Sequence, residues 1–251
     1  MENSINSSPV FQRHLPLEGS YNIRDIGGYV TVDGYQTRWK TILRSDSLHR
    51  LSPVSQQAII DYGVKIIIDL RYASEVQNRP SVFAESKQIK YLNVPLFENE
   101  LLEKLKVLKS QAENYYVWLD SCQAQFRKIL ETIIDSLPSP LLIHCTGGKD
   151  RTGLTIALLL SVANVPVNTI VEDFVLSGDY LAPMFAPLLP KARELGYAYM
   201  FECRAETLLD TFKYLDEKYG GVIGYLHTIG LTSEQIDNLR SLLLEDRQNL
   251  D

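Results

Sequence analysis

Residues 141–153, LLIHCTGGKDRTG, restrict the fold of this chain more than any other segment. Leu141, Leu142 and Ile143 form an apolar run with no alternation, which reads as a short strand buried on both faces. Pro138 and Pro140 punctuate the chain just before it. A loop with Gly147 and Gly148 follows, and then an apolar stretch that reads as a core helix ending near Asn164-Val165-Pro166. A buried strand running through a glycine-bearing loop into a helix belongs to an α/β domain with a mostly parallel sheet. Loop amides and the helix N-terminus then converge on one point, which suits an anion. Gly147 and Gly148 permit the backbone to turn several N–H groups inward.

The remaining sequence agrees with that architecture. Ser52 caps and Pro53 opens a helix through residue 62 that Gly63 stops. Residues 64–70, VKIIIDL, read as a buried parallel strand, and 89–95 as the next one. A short helix starts near Ser74. Helical periodicity covers 98–136, 168–180, 206–217 and 233–246. Gly27-Gly28 and Asp33-Gly34 imply short strands and tight turns within 20–46. Residues 183–201 carry three prolines and many aromatic residues; they are expected to be irregular and to act as a lid. Residues 1–15 are expected to be a flexible tail, and 16–251 a single domain.

The 251 residues, 45% hydrophobic and 22% charged, suffice for one sizeable core. A net charge of −6 argues against nucleic acid as a partner. No apolar run reaches transmembrane length, and the N-terminus has no signal-peptide h-region. The expected location is cytoplasmic, with secretion lacking a recognisable signal left open. The three cysteines, Cys122, Cys145 and Cys203, are far apart and form no C-x-x-C pair. They point to a reducing compartment rather than to zinc or a dithiol site. Nothing in the sequence speaks to oligomeric state.

Cys145 enters the anion-shaped loop, where amide dipoles and a cation favour the thiolate, the reactive form. Arg151 stands six residues on, and its planar fork can grip phosphate oxygens. Thr152 is expected to donate to the thiolate, and His144 to hold the loop through its ring. Cys122 and Arg127 offer an internal control: their spacing is one shorter, with no glycine between them and a helical context.

HCTGGKDRTG resembles the His-Cys-x5-Arg-Ser/Thr phosphate loop of the protein tyrosine phosphatase superfamily. Lys149-Asp150 before the arginine makes it similar to a bacterial group with an HCxxGKDRTG loop. Four flanking elements agree: Asn22 to Tyr29 (NIRDIGGY), Leu43-Arg44-Ser45, Asp69-Leu70-Arg71 with Glu75, and Tyr219-Gly220 with Tyr225-Leu226. The likeness covers roughly residues 16–245. It implies a phosphatase-like α/β fold, a central mostly parallel sheet flanked by helices, with an added helical lid. It further implies a cysteine-dependent phosphomonoesterase with a phosphocysteine intermediate, no cofactor and no metal. The implied substrates are phosphotyrosine proteins, extending to phosphoinositides or phosphoserine and phosphothreonine. By this resemblance Cys145 is the nucleophile, Arg151 stabilises the transferring group and Asp150 is the general acid. Thr146, Gly147, Gly148, Lys149 and Thr152 bind the phosphate, with His144 and Asp25 in support.

Several assignments keep an alternative. Asp150 could simply cap the following helix, with Asp120, Glu98 or Asp46 as the acid instead. Lys149 either faces a polyanionic headgroup or is solvated. Arg24 and Asp25 either order the backbone near the loop or serve a turn. Asp69, Arg71 and Glu75 read as a structural ion-pair set, and His14, His49 and His227 as surface or capping residues. The alternative function is a non-catalytic module that binds phosphate or a phospholipid headgroup.

Overall fold

The computed structural model describes residues 12–98, 101, 105, 108 and 110–245. Its strands are β1 (Arg24–Asp25), β2 (Gln36–Thr37), β3 (Ile42–Ser45), β4 (Ile66–Asp69), β5 (Lys90–Asn93), β6 (Leu141–His144) and β7 (Leu244–Glu245). Five of these form one sheet in the order β1-β3-β6-β4-β5. The β1–β3 pair is antiparallel; β3, β6, β4 and β5 run parallel. The architecture is therefore α/β with a mostly parallel sheet. β6 sits in the middle, buried along its whole length between two parallel neighbours. That position explains the unbroken apolar run before Cys145.

The helices with described bounds are α1 (Pro53–Tyr62), α2 (Ala73–Asn78), α3 (Gln111–Ser121), α4 (Gln123–Ser136), α5 (Asp150–Val162), α6 (Val167–Phe185), α7 (Leu189–Glu194), α8 (Ala205–Tyr219), α9 (Val222–Thr228) and α10 (Ser233–Leu243). In α1, Ser52 Oγ accepts the N–H of Ser55, and Gly63 ends the helix at a φ of 104°. α5 is buried nearly throughout, which is why its sequence shows no polar face. Successive strand residues feed opposite cores. Leu141, Ile143 and Ile68 join the larger core with α4, α5 and α8, whereas Leu142, Ile67 and Leu43 join a smaller one with Ile59 of α1. Among the described residues no helix is long and apolar enough to cross a membrane.

Three expectations change. Residues 183–201 are largely helical: α6 runs through Pro183 to Phe185, α7 follows, and a 3-10 turn spans Ala198–Phe201. The last helix stops at Leu243, because Leu244 and Glu245 pair with Thr37 and Gln36 instead. Arg13, His14 and Leu15, expected in the tail, are held against β1 by bonds to Asp25 and Ile23 and by a bridge between His14 and Arg24. The rest of the tail, residues 1–11, lies outside the described residues, as does much of 99–109.

Candidate active site

The loop from His144 to Lys149 joins β6 to α5, and its carbonyls are pinned from outside. The Cys145 carbonyl oxygen lies 3.0 Å from His144 Nδ1; a carbonyl can only accept, so Nδ1 carries the proton. The Thr146 carbonyl accepts from the Ser47 N–H at 3.0 Å. The Gly147 carbonyl accepts from Asn22 Nδ2 at 2.9 Å, and the Gly148 carbonyl from Arg44 Nη2 at 2.7 Å. In a trans peptide the carbonyl and the next N–H point in opposite directions. Four carbonyls turned outward therefore turn the N–H groups of Thr146, Gly147, Gly148 and Lys149 the other way. Those four N–H groups have no acceptor among the described residues. Together with the N-terminus of α5 they form a set of free donors beside Cys145, an arrangement that suits an anion.

Only one of the two glycines is required by the backbone. Gly148 adopts a φ of 65°, and a Cβ there would lie 2.2 Å from the Ser45 carbonyl oxygen. Gly147 keeps an ordinary φ and has room for a methyl group, the nearest atom being Leu181 Cδ1 at 3.7 Å.

A pocket of about 780 Å³ opens over the loop and is lined by Cys145, Thr146, Gly147, Lys149, Asp150 and Arg151. Its lining is rich in aromatic residues, among them Tyr72, Phe97, Trp118, Phe185, Tyr197 and Phe201, with aliphatic side chains between them. The segment 183–201 thus supplies part of the wall. Cys145 is buried. The Arg151 guanidinium holds Glu75 in a fork, Nη1 to Oε2 at 2.6 Å and Nη2 to Oε1 at 2.8 Å. Thr146 Oγ1 donates to the same carboxylate. Burial would raise the Glu75 pKa, but the hydrogen bonds and charge of Arg151 outweigh it and hold Glu75 below its ordinary value.

Glu75 therefore belongs to the pocket and not to the structural ion-pair set expected for it. Asp69 and Arg71 do pair with each other, at 2.7 Å. Lys149 also differs from expectation. It is not solvated: its ammonium is buried, donates to the Met200 and Glu202 carbonyls, both at 2.7 Å, and lies 3.4 Å from Asp150 Oδ1. Thr152 Oγ1 has no hydrogen-bond partner among the described residues, so the expected bond to the Cys145 sulfur is not formed. Asp25 serves a turn, accepting from Gly27 N–H, Lys40 N–H and the Tyr62 hydroxyl, and among the described residues it makes no hydrogen bond to the Cys145 loop. Burial pushes the His144 ring toward its neutral form.

Asp150 lines the pocket, and its Oδ1 accepts from Gln111 Nε2 at 2.8 Å and the Tyr115 hydroxyl at 2.7 Å. Among the described residues no backbone N–H of α5 donates to its side chain. The rival acids lie elsewhere. Asp120 binds Lys218, Tyr214 and Tyr219; Asp46 is buried against Ser20, Tyr21 and Asn22; Glu98 is exposed and outside the pocket lining.

Sequence reasoning missed Asp173. It sits on the buried face of α6 with Ile170, Phe174, Ser177 and Leu181, and binds Arg24 and Arg44. An acidic residue in that apolar stripe was the available signal.

The tyrosine phosphatase family matches residues 15–245. This chain belongs to that family. It is a phosphatase, which sets aside a non-catalytic binding module. It is 31% identical over 215 residues to a tyrosine-protein phosphatase of Nostoc commune, covering 79% of this chain and 72% of that one. It is 25% identical over 281 residues to the triple specificity protein phosphatase PtpB of Mycobacterium tuberculosis, covering 92% of this chain and 99% of PtpB. Among solved structures, the catalytic domain of the PP-IP phosphatase SIW14 from S. cerevisiae is 20% identical, with a TM-score of 0.38, over 82% of this chain and 95% of that one.

Proposed function

We propose that this phosphatase hydrolyses aryl phosphate monoesters, phosphotyrosine foremost, through Cys145. The Cys145 sulfur attacks phosphorus, the S–P bond forms and the P–O bond to the leaving group breaks. Asp150 gives its proton to the leaving oxygen. A water then attacks phosphorus, the S–P bond breaks to return the thiolate, and Asp150 takes the proton of that water. The loop N–H groups and Arg151 hold the charge on the equatorial oxygens throughout.

The observation that carries this reading is the set of four loop carbonyls pinned outward, which presents four N–H donors around one thiol. The aromatic walls favour an aryl ester over a headgroup. Lys149, tied to two backbone carbonyls, is not the free cation that a second phosphate would want. The name of PtpB as a triple specificity phosphatase supports breadth beyond phosphotyrosine as a secondary capacity. Three free thiols suit a reducing compartment such as the cytoplasm. Steady-state kinetics on phosphotyrosine peptides, phosphoserine peptides and phosphoinositide vesicles test the preference. The highest kcat/KM is expected for phosphotyrosine, and an equal or higher value for a phosphoinositide would overturn it.

A further inference from the structure

Asp150 does not stand alone at the pocket. Gln111 Nε2 and the Tyr115 hydroxyl, both on α3, donate to its Oδ1, the Lys149 ammonium lies 3.4 Å from that same oxygen, and Oδ2 has no donor among the described residues. Gln111, Asn114, Tyr115 and Trp118 follow the i, i+3, i+4, i+7 spacing and so share one face of that helix. The helix start is fixed by a capping box: Ser110 Oγ accepts the Glu113 N–H, and Glu113 accepts the Ser110 N–H. Tyr115 is fully buried, stacked on Trp118 at 5.2 Å and edge-on to Phe174 at 6.3 Å. Its hydroxyl is therefore held in place by packing. Asn114 Nδ2 lies 3.4 Å from Gln111 Oε1, which turns the Gln111 amide nitrogen toward Asp150.

We infer that Tyr115 and Gln111 are positioning residues for proton delivery: by filling Oδ1 of Asp150 they confine its transferable proton to Oδ2. This rests on Asp150 as the general acid. A carboxylate oxygen offers two lone pairs, and two donors occupy those of Oδ1. A proton placed on Oδ1 would have to displace one of them, so the acid form carries it on Oδ2. When Oδ2 gives up that proton to the leaving oxygen, the carboxylate that results is already met by an O–H and an N–H, with no reorganisation. Burial first, and the Asp150 charge second, push the Tyr115 hydroxyl well above its ordinary range, so it remains a donor at any working pH.

The test compares two esters that differ in their need for a proton, phenyl phosphate and p-nitrophenyl phosphate. Tyr115→Phe keeps the ring and removes only the donor. It should lower kcat/KM for phenyl phosphate by roughly 10-fold to 10²-fold, the worth of a charge-assisted hydrogen bond. For p-nitrophenyl phosphate, whose leaving group needs little help, the change should stay below ~3-fold. Gln111→Leu, at the edge of the site, should show the same selectivity and covers the case in which Tyr115→Phe melts early. Asp150→Asn run in parallel should show the largest selectivity. Equal losses on both esters, or none, in both α3 variants while Asp150→Asn keeps its selectivity overturn the positioning role and leave the acid intact. Absence of selectivity in Asp150→Asn removes the acid itself, and the positioning role with it.

Discussion

Two carboxylates meet arginines near the Cys145 loop, and they differ in access. Asp173 is sealed: Arg24 Nε reaches Oδ1 at 2.9 Å, Arg44 Nη1 reaches Oδ2, and the Tyr29 hydroxyl donates to Oδ1 at 2.9 Å. All of these charged side chains are at most 1% exposed. Glu75 and Arg151 make a fork of similar geometry but remain 17% and 11% exposed, at the wall of the pocket. The first pair works as a clamp, because Arg44 also holds the Gly148 carbonyl and so fixes the loop. The second holds a guanidinium at the pocket wall, where the proposed mechanism puts the substrate dianion. Under the proposed mechanism the same ion-pair chemistry serves shape in one place and reaction in the other, and the two differ in burial.

That contrast can be broken from either side. Arg151→Lys should give the largest effect, a fall in kcat of roughly 10³-fold or more with thermal stability retained, since an ammonium cannot reproduce the planar fork. Parallel kinetics and thermal melts check it. Asp173→Ala should do the opposite, destabilising the fold by about 3–5 kcal/mol by leaving two buried guanidinium groups without their carboxylate. Urea unfolding measures this, and a stable but inactive variant would reverse the assignment. Glu75→Gln should lower kcat by about 10²-fold through loss of Arg151 alignment, with little change in unfolding midpoint.

The glycines sharpen the same point on a smaller scale. Gly148→Ala should cost at least roughly 1–3 kcal/mol, because the positive φ and the Ser45 carbonyl both oppose a Cβ. Gly147→Ala should be close to neutral in stability. Last comes pH. Burial opposes ionisation of Asp173, yet Arg24 and Arg44 prevail and hold its pKa well below the ordinary value. A carboxylate depressed in the folded state contributes stability above its unfolded value, near 3.9, and loses it as pH falls further toward its folded value. The stability gap between the wild type and Asp173→Asn should therefore narrow below about pH 4.

The legible parts of this protein were those with local causes. The strand, glycine loop and helix around Cys145 follow from consecutive residues, and α1 follows from Ser52, Pro53 and Gly63. What was not legible depends on distant partners. Glu75 reaches Arg151 across 76 positions, and Arg24 reaches Asp173 across 149. Lys149 reads as a loop-edge cation until the 198–202 backbone closes on it. Pro183 reads as a helix breaker, yet α6 carries it near its end.

The central claim is that Cys145 forms a covalent phosphoryl intermediate. Rapid-quench mass spectrometry of the enzyme mixed with p-nitrophenyl phosphate tests it most directly. The account predicts one phosphoryl group on the peptide containing Cys145, absent in Cys145→Ser along with turnover. A Cys145→Ser protein that still hydrolyses the ester, or turnover with the phosphoryl group on another residue, would contradict it.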